Sequence, residues 1–203
     1  MHKNLILLTG YPGTGKTYLC NTILSWRDSF VVVSPDDIKE KFWDKFGFNN
    51  VEEKEGVIQL SWNYYYKKIE KIMQEESSII SDYPFSDKQR PKISLLSSKY
   101  GYRVITIRLI GNLDILFERQ KKRDVDPNRH AGHILNCYHQ GDTVDCRNEA
   151  EGLLDYKEFI KRCQTRGYGT FELGDLIEID VTDFALVDYP SLLQRLEEML
   201  GNR

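Results

Sequence analysis

Gly10-Tyr11-Pro12-Gly13-Thr14-Gly15-Lys16-Thr17 satisfies the GxxxxGK(S/T) spacing of a phosphate-binding loop. Glycines at 10, 13 and 15 let the backbone curl so that successive N–H groups point at phosphate oxygens, and a following helix adds its positive end. Lys16 would reach the β- and γ-phosphates, and the Thr17 hydroxyl would complete the shell of a Mg²⁺ ion that keeps most of its waters. The nucleotide-binding positions are therefore expected at Gly10, Tyr11, Pro12, Gly13, Thr14, Gly15, Lys16, Thr17 and Tyr18.

Three further groups suit the transfer of a phosphoryl group. Ser34-Pro35-Asp36-Asp37 places two carboxylates behind the apolar run Phe30–Val33, and Asp36 is the candidate base that orients and deprotonates an acceptor hydroxyl. Asp36 or Asp37 could equally cap a helix beginning near Ile38. The run Ser78–Ser81 ends in Asp82, where a second carboxylate would hold the metal through water or hold the acceptor, or serve only the turn before Tyr83-Pro84. Arg119 and Arg123 are four apart, so they share a helix face and could clamp the transferring phosphate. The alternative is a basic helix end favoured by the macrodipole.

Positioning these groups requires strands that end where they stand. Short β-rich runs alternate with longer helical patterns, the signature of a parallel α/β sheet, with strands expected at 4–9, 30–34, 77–81, 103–109 and 176–181. Ile58, Trp62, Tyr65, Ile69 and Ile72 recur on one face of an amphipathic helix, and helices are also expected at 17–26, 86–99, 112–122, 153–165 and 190–200. Trp62 and Tyr65 belong to the core stripe, whereas Tyr64 and Tyr66 point elsewhere and could stack on a ring or a partner. Residues 124–150 are polar and breaker-rich, and are expected to form a lid in a single domain spanning 1–203.

In order, the phosphate loop, SPDD with Lys39 three past Asp36, the strand ending in Ser81-Asp82, and RxxxR before a polar segment resemble the P-loop kinases related to bacteriophage polynucleotide kinase, with zeta-toxin-like kinases in the same neighbourhood. The resemblance covers roughly the first 130 residues. It implies a nucleotide-kinase-like three-layer fold, ATP as donor, Asp36 as general base, Lys39 at an acceptor-binding arginine position, Arg123 as the lid arginine, and an adenine bordered by Thr182-Asp183. Lys39 departs from the pattern, because lysine is a point charge without a bidentate fork. Arg129-His130-Ala131-Gly132-His133 resembles an RHxGH segment of predicted kinases in this group, and Arg129, His130 and His133 join Asp36, Lys39 and Asp82 as expected acceptor-side residues.

The histidines and cysteines His130, His133, Cys137, His139 and Cys146 fit no standard zinc spacing, so lid or acceptor-pocket roles are expected instead. Over 203 residues, 40% hydrophobic and 29% charged composition is that of a soluble globular chain, and no apolar run approaches the roughly 20 residues of a membrane span. Four consecutive apolar residues at the start are too few for a signal-peptide core, and four irregularly spaced cysteines suggest no disulfide framework, so a cytoplasmic protein with reduced thiols is expected. A net charge of −3 disfavours a nucleic-acid partner.

The expected activity is ATP-dependent transfer of a γ-phosphoryl group to a hydroxyl of a small-molecule acceptor, with Lys16, Arg123 and Mg²⁺ carrying the developing charge and Mg²⁺ held at Thr17 and Asp82. The enzymatic alternative is a polynucleotide 5′-hydroxyl kinase. A nucleotide-dependent switch or toxin-like regulatory module is the alternative from another class. A GTPase switch would show an NKxD motif, which is absent, and an AAA-type motor would need a longer chain and an acidic pair closing the third strand.

Overall fold

The computed structural model describes residues 3–201. The expected domain span of 1–203 therefore extends beyond them at each end. All seven residues of β1 (Asn4–Gly10) are buried. A strand covered on both faces needs apolar side chains in both alternating sets. Leu5 and Leu7 enter the cluster that holds Tyr65, Phe85 and Ile93, while Ile6 and Leu8 enter the one that holds Ile23, Ile107 and Leu196. Burying each such side chain contributes about 1.5–3 kcal/mol.

Around β1 lie β2 (Val31–Val32), β3 (Ile79–Asp82), β4 (Arg103–Ile110) and β5 (Asp175–Asp180), in the order β2-β3-β1-β4-β5. Every pairing is parallel. The helices are α1 (Lys16–Trp26), α2 (Pro35–Phe46), α3 (Val51–Gln74), α4 (Arg90–Tyr100), α5 (Leu113–Asp124), α6 (Tyr156–Thr165) and α7 (Tyr189–Leu200). Helices α3 and α4 cover one face of the sheet, and α1 and α7 the other. This is the expected three-layer P-loop NTPase fold. From β1 the chain travels to the far edge of the sheet, and from β3 it crosses back over β1, so the crevice beside the ends of β1 and β3 is a topological switch point.

Several boundaries differ from the sequence expectations. β2 has two residues instead of five, because it is an edge strand with a single neighbour, although Val33 still donates to Ile80 O at 2.9 Å. α2 begins at Pro35, whose ring presets the first-turn backbone, and not near Ile38. Asp36 and Asp37 therefore lie inside its first turn, and Ser34 occupies the cap position. α4 starts at Arg90 because Ser86 and Gln89 close a turn first, with Ser86 Oγ donating to Gln89 Oε1 at 2.7 Å. The aromatic helix extends to 24 residues, and its stripe of Trp62, Tyr65, Ile69 and Ile72 is buried.

Residues 125–155 contain 3-10 turns at Ala131–His133 and Arg147–Glu149 but no α-helix. Their polar composition conceals two anchors: Ile134 and Tyr138 are buried, and Tyr138 forms an isolated bridge with Phe48. The segment is thus seated on α2 and the start of α3.

Candidate active site

The phosphate loop connects β1 to α1. Gly10, Gly13 and Gly15 all take positive φ, and a Cβ on Gly13 would lie 2.5 Å from Leu116 O, so no other residue fits that bend. Lys16 is folded over the loop, its Nζ donating to Tyr11 O at 2.7 Å, Thr14 Oγ1 at 3.2 Å and Gly10 O at 3.3 Å. Burial and the neighbouring Arg123 charge pull its pKa down to about 7, against the upward pull of Asp36 and Asp82. Tyr11 and Tyr18 contribute backbone to the loop, and their rings turn elsewhere. Tyr11 joins the cluster of Leu116 and Phe159, and Tyr18 is exposed, edge-on to Tyr189.

The register Leu8↔Asp82 sets the end of β3 beside the loop. Thr17 Oγ1 donates to Asp82 Oδ2 at 2.9 Å, which brings together the two residues expected at a metal. Burial pushes the Asp82 carboxyl up, the Thr17 hydrogen bond pulls it down, and the charge of Asp36 raises it further. A hydroxyl and a carboxylate are hard oxygen donors, and this pair fits a Mg²⁺ that completes its shell with water and phosphate. Asp36, Arg123 and Arg129 line the same cavity of about 460 Å³ with Thr17 and Asp82.

Asp36 is surrounded by cations. Lys39 Nζ lies 3.2 Å from its Oδ1, and Arg123 and Arg129 each stand 4.0 Å from its Oδ2. Burial would raise the Asp36 carboxyl, but Lys39, His133, Arg129 and Arg123 together hold it well below the usual carboxylate range. It is ionised at any physiological pH. It suits the task of accepting a hydrogen bond from a hydroxyl and taking the proton late, as a loose phosphoryl-transfer transition state requires.

Arg119, Arg123, Lys39, His130 and His133 all hold protein partners in this setting. Arg119 and Arg123 face different partners: Arg119 donates to Val181 O at 2.7 Å and Thr182 O at 2.8 Å and lies 3.9 Å from the Phe184 ring, while Arg123 turns to Asp36. A shared helix face fixes where side chains leave the backbone, and the long arginine stems then part. Lys39 is no open acceptor-binding cation. It is 7% exposed and held between Asp36 and Tyr83, whose hydroxyl is 2.7 Å away. His130 and His133 are not free acceptor ligands either: His130 Nε2 lies 3.0 Å from Asp44 Oδ1, and His133 Nε2 lies 2.7 Å from Glu40 Oε1. Arg129 completes this latch through Glu40 at 3.5 Å.

Glu40, Trp43 and Asp44 are site-shaping residues that the sequence reading missed. With Asp36 they repeat along one face of α2 at helical spacing, which is a readable signal. Asp44 Oδ1 also accepts from Tyr138 Oη at 2.5 Å, and Trp43 meets His133 edge-on at 4.9 Å. Arg166, Tyr83 and Tyr168 were likewise missed. They line a second cavity, of about 700 Å³, together with Lys39, Trp62 and Tyr66.

Residues 5–134 match the family model described as an AAA domain. No curated protein matches the chain. Among solved structures, a candidate kinase from Chloroflexus aurantiacus J-10-fl superposes with a TM-score of 0.77 at 24% identity, covering 99% of this chain and 100% of its own. The tunicamycin resistance protein of Deinococcus radiodurans gives 0.55 at 17% identity, covering 98% and 96%. A gluconokinase from Sinorhizobium meliloti 1021 gives 0.51 at 14% identity, covering 98% and 95%. Likeness at such identities is likeness of fold.

Proposed function

We propose, since the chain belongs to the AAA domain family, that it uses its phosphate loop as a kinase does, moving the γ-phosphoryl group of ATP to a hydroxyl of a small-molecule acceptor. The observation that carries this reading is the convergence in one cavity of the Thr17–Asp82 pair, Asp36 and Arg123, beside Lys16. A hydrolytic switch needs no half-buried carboxylate poised beside the phosphate seat for a second substrate. The motif order shared with polynucleotide-kinase and zeta-toxin-like enzymes supports the same reading. β3 closes on the single acid Asp82, which does not favour a motor.

Backbone N–H groups from Gly10 to Tyr18 would hold the donor phosphates, and Lys16 and Arg123 would neutralise charge as the β–γ bridging oxygen leaves with ADP. Thr17 and Asp82 would hold Mg²⁺, which when bound supplies charge stabilisation on the phosphoryl oxygens. Asp36 orients the acceptor hydroxyl, whose oxygen bonds to the γ-phosphorus as its proton passes to the Asp36 carboxylate. Arg119, fixed against the 181–184 loop, would border the base. Residues 1–203 act in this reading as one domain, with the 124–150 segment lining the phosphate-side cavity through Asn128, Arg129 and His130. Among the described residues no helix is long and apolar enough to cross a membrane.

Incubation with γ-labelled ATP and a metabolite pool, followed by mass detection of new phospho-species, tests the proposal. Asp36→Asn should lose about 10²–10⁴-fold in transfer while keeping nucleotide binding. Unchanged turnover would remove Asp36 from the mechanism, and failure to label any acceptor would overturn the kinase reading.

A further inference from the structure

The cavity of about 700 Å³ lies between α3, the segment after β3 and the chain following α6. Its walls are unusually aromatic for a polar cleft. Trp62 and Tyr66 stack at 5.8 Å, Trp62 meets Tyr83 edge-on at 5.0 Å, and Tyr168 faces the same space. Lys88, Lys92 and Arg166 stand on its lining, and none of them has an ion-pair partner among the described residues. The Arg166 guanidinium donates to the Tyr168 hydroxyl, at 3.3 Å. The cleft's carboxylates are already engaged: Asp87 pairs with Arg90 at 2.8 Å, and Glu55 accepts from Gln59 at 2.8 Å. Rings with uncompensated cations around them suit a flat, anionic molecule.

The inner end of the cleft is Lys39, which donates to Tyr83 Oη and to Asp36 Oδ1. The other oxygen of Asp36 faces Arg123 and Arg129 in the cavity lined by Thr17 and Asp82. The Asp36–Lys39 pair thus stands where the aromatic cleft meets the phosphate-side cavity.

We propose that the aromatic cleft is the acceptor site, and that the acceptor is a ring-bearing compound with an anionic group: the ring lies against Tyr66 and Tyr83, the anion meets Arg166, and the hydroxyl points inward to Asp36. The proposal rests on the kinase reading for its chemistry, but the binding preference it makes can be measured without turnover. A ringless polyol acid or a neutral ring each satisfies only half of the cleft.

The test is calorimetric binding of three probes: phenyl phosphate, benzyl alcohol and glycerol 3-phosphate. Each is titrated into the wild-type protein with the non-hydrolysable analogue AMP-PNP present, and into Lys16→Ala without it, so that the phosphate loop does not report. Phenyl phosphate should bind at least about tenfold more tightly than either half-probe, and Arg166→Ala and Tyr66→Ala should each weaken it by about fivefold or more. Equal affinities for the three probes, no binding of phenyl phosphate, or an affinity within twofold of wild type in Arg166→Ala would overturn the proposal. Arg166 is exposed, so its substitution keeps the test decisive even where Tyr66→Ala does not fold. A preference for phenyl phosphate with no γ-phosphoryl transfer to any acceptor counts against the kinase reading and leaves the cleft's preference standing.

Discussion

Lys39 reaches back along α2 to donate to Asp36 at 3.2 Å, and it does so from a position only 7% exposed. A lysine so buried keeps its charge because Tyr83 and Asp36 both face it; their pull outweighs desolvation and raises its pKa. The pair is therefore an electrostatic unit in which Lys39 sets how acidic Asp36 is.

Lys39→Met should bring the Asp36 carboxyl up towards the usual carboxylate range, since burial then opposes fewer cations. In the wild type its folded value lies below its unfolded one. Asp36 therefore adds stability that is present above the unfolded pKa and is lost only as pH falls through the folded value, beneath the usual carboxylate range. The acid limb of kcat should accordingly lie at higher pH in the variant than in the wild type, where Asp36 stays ionised through the whole carboxylate range. Superposable pH profiles would show that Lys39 only fills space.

Gly132 and Trp43 show why the RHxGH segment needs its glycine. A Cβ at 132 would lie 2.6 Å from Trp43 Cε3 and 3.0 Å from His130 Nδ1. Gly132→Ala should cost about 1–3 kcal/mol by denaturant unfolding, because it pushes the segment off α2. Gly56→Ala is the contrast: a Cβ there meets nothing within 4 Å inside α3, so the variant should gain about 0.4–1 kcal/mol. Equal effects at the two glycines would contradict this packing.

The sequence legibility of the site follows the distance over which its causes act. The phosphate loop is contiguous, so its residues, and Asp82 at the end of an apolar strand, could be read directly. Asp36, Glu40 and Asp44 carried a helical repeat, but its partners Arg129, His130 and His133 come from about ninety residues further along, and polar composition alone suggests an unattached segment. Lys39 reads in the sequence as an acceptor-binding cation because nothing local reveals Tyr83 beside it. The parting of Arg119 from Arg123 depends on carbonyls at 181 and 182, which no helix-face argument contains.

That parting predicts a kinetic split. Arg119, bonded to two carbonyls and lying on Phe184, shapes the loop beside Gly15, whose Cβ would lie 3.2 Å from the Phe184 ring. Arg119→Ala should raise KM for ATP by about tenfold with kcat little changed, and Arg123→Ala should lower kcat by about 10²-fold or more. Steady-state kinetics with ATP varied separates the two, and a fall in kcat for Arg119→Ala would restore the clamp.

Lys16 should give the protein a proton-linked affinity for nucleotide. Its pKa is held near 7 in the folded chain, by burial first and Arg123 second, against an ordinary value of 10.5. Between those values the unfolded chain binds a proton that the folded chain does not, so the stability of the free protein should rise with pH from 7 to 10.5. Phosphate beside Lys16 restores its charge, and nucleotide binding in that window takes up a proton. Affinity should therefore fall as pH climbs above 7, and calorimetry at pH ~8.5 in buffers of different ionisation enthalpy should register uptake approaching one proton, with none at pH ~6. Lys16→Met should abolish the uptake. A pH-independent affinity with buffer-independent heats would mean that Lys16 is already charged before the phosphates arrive.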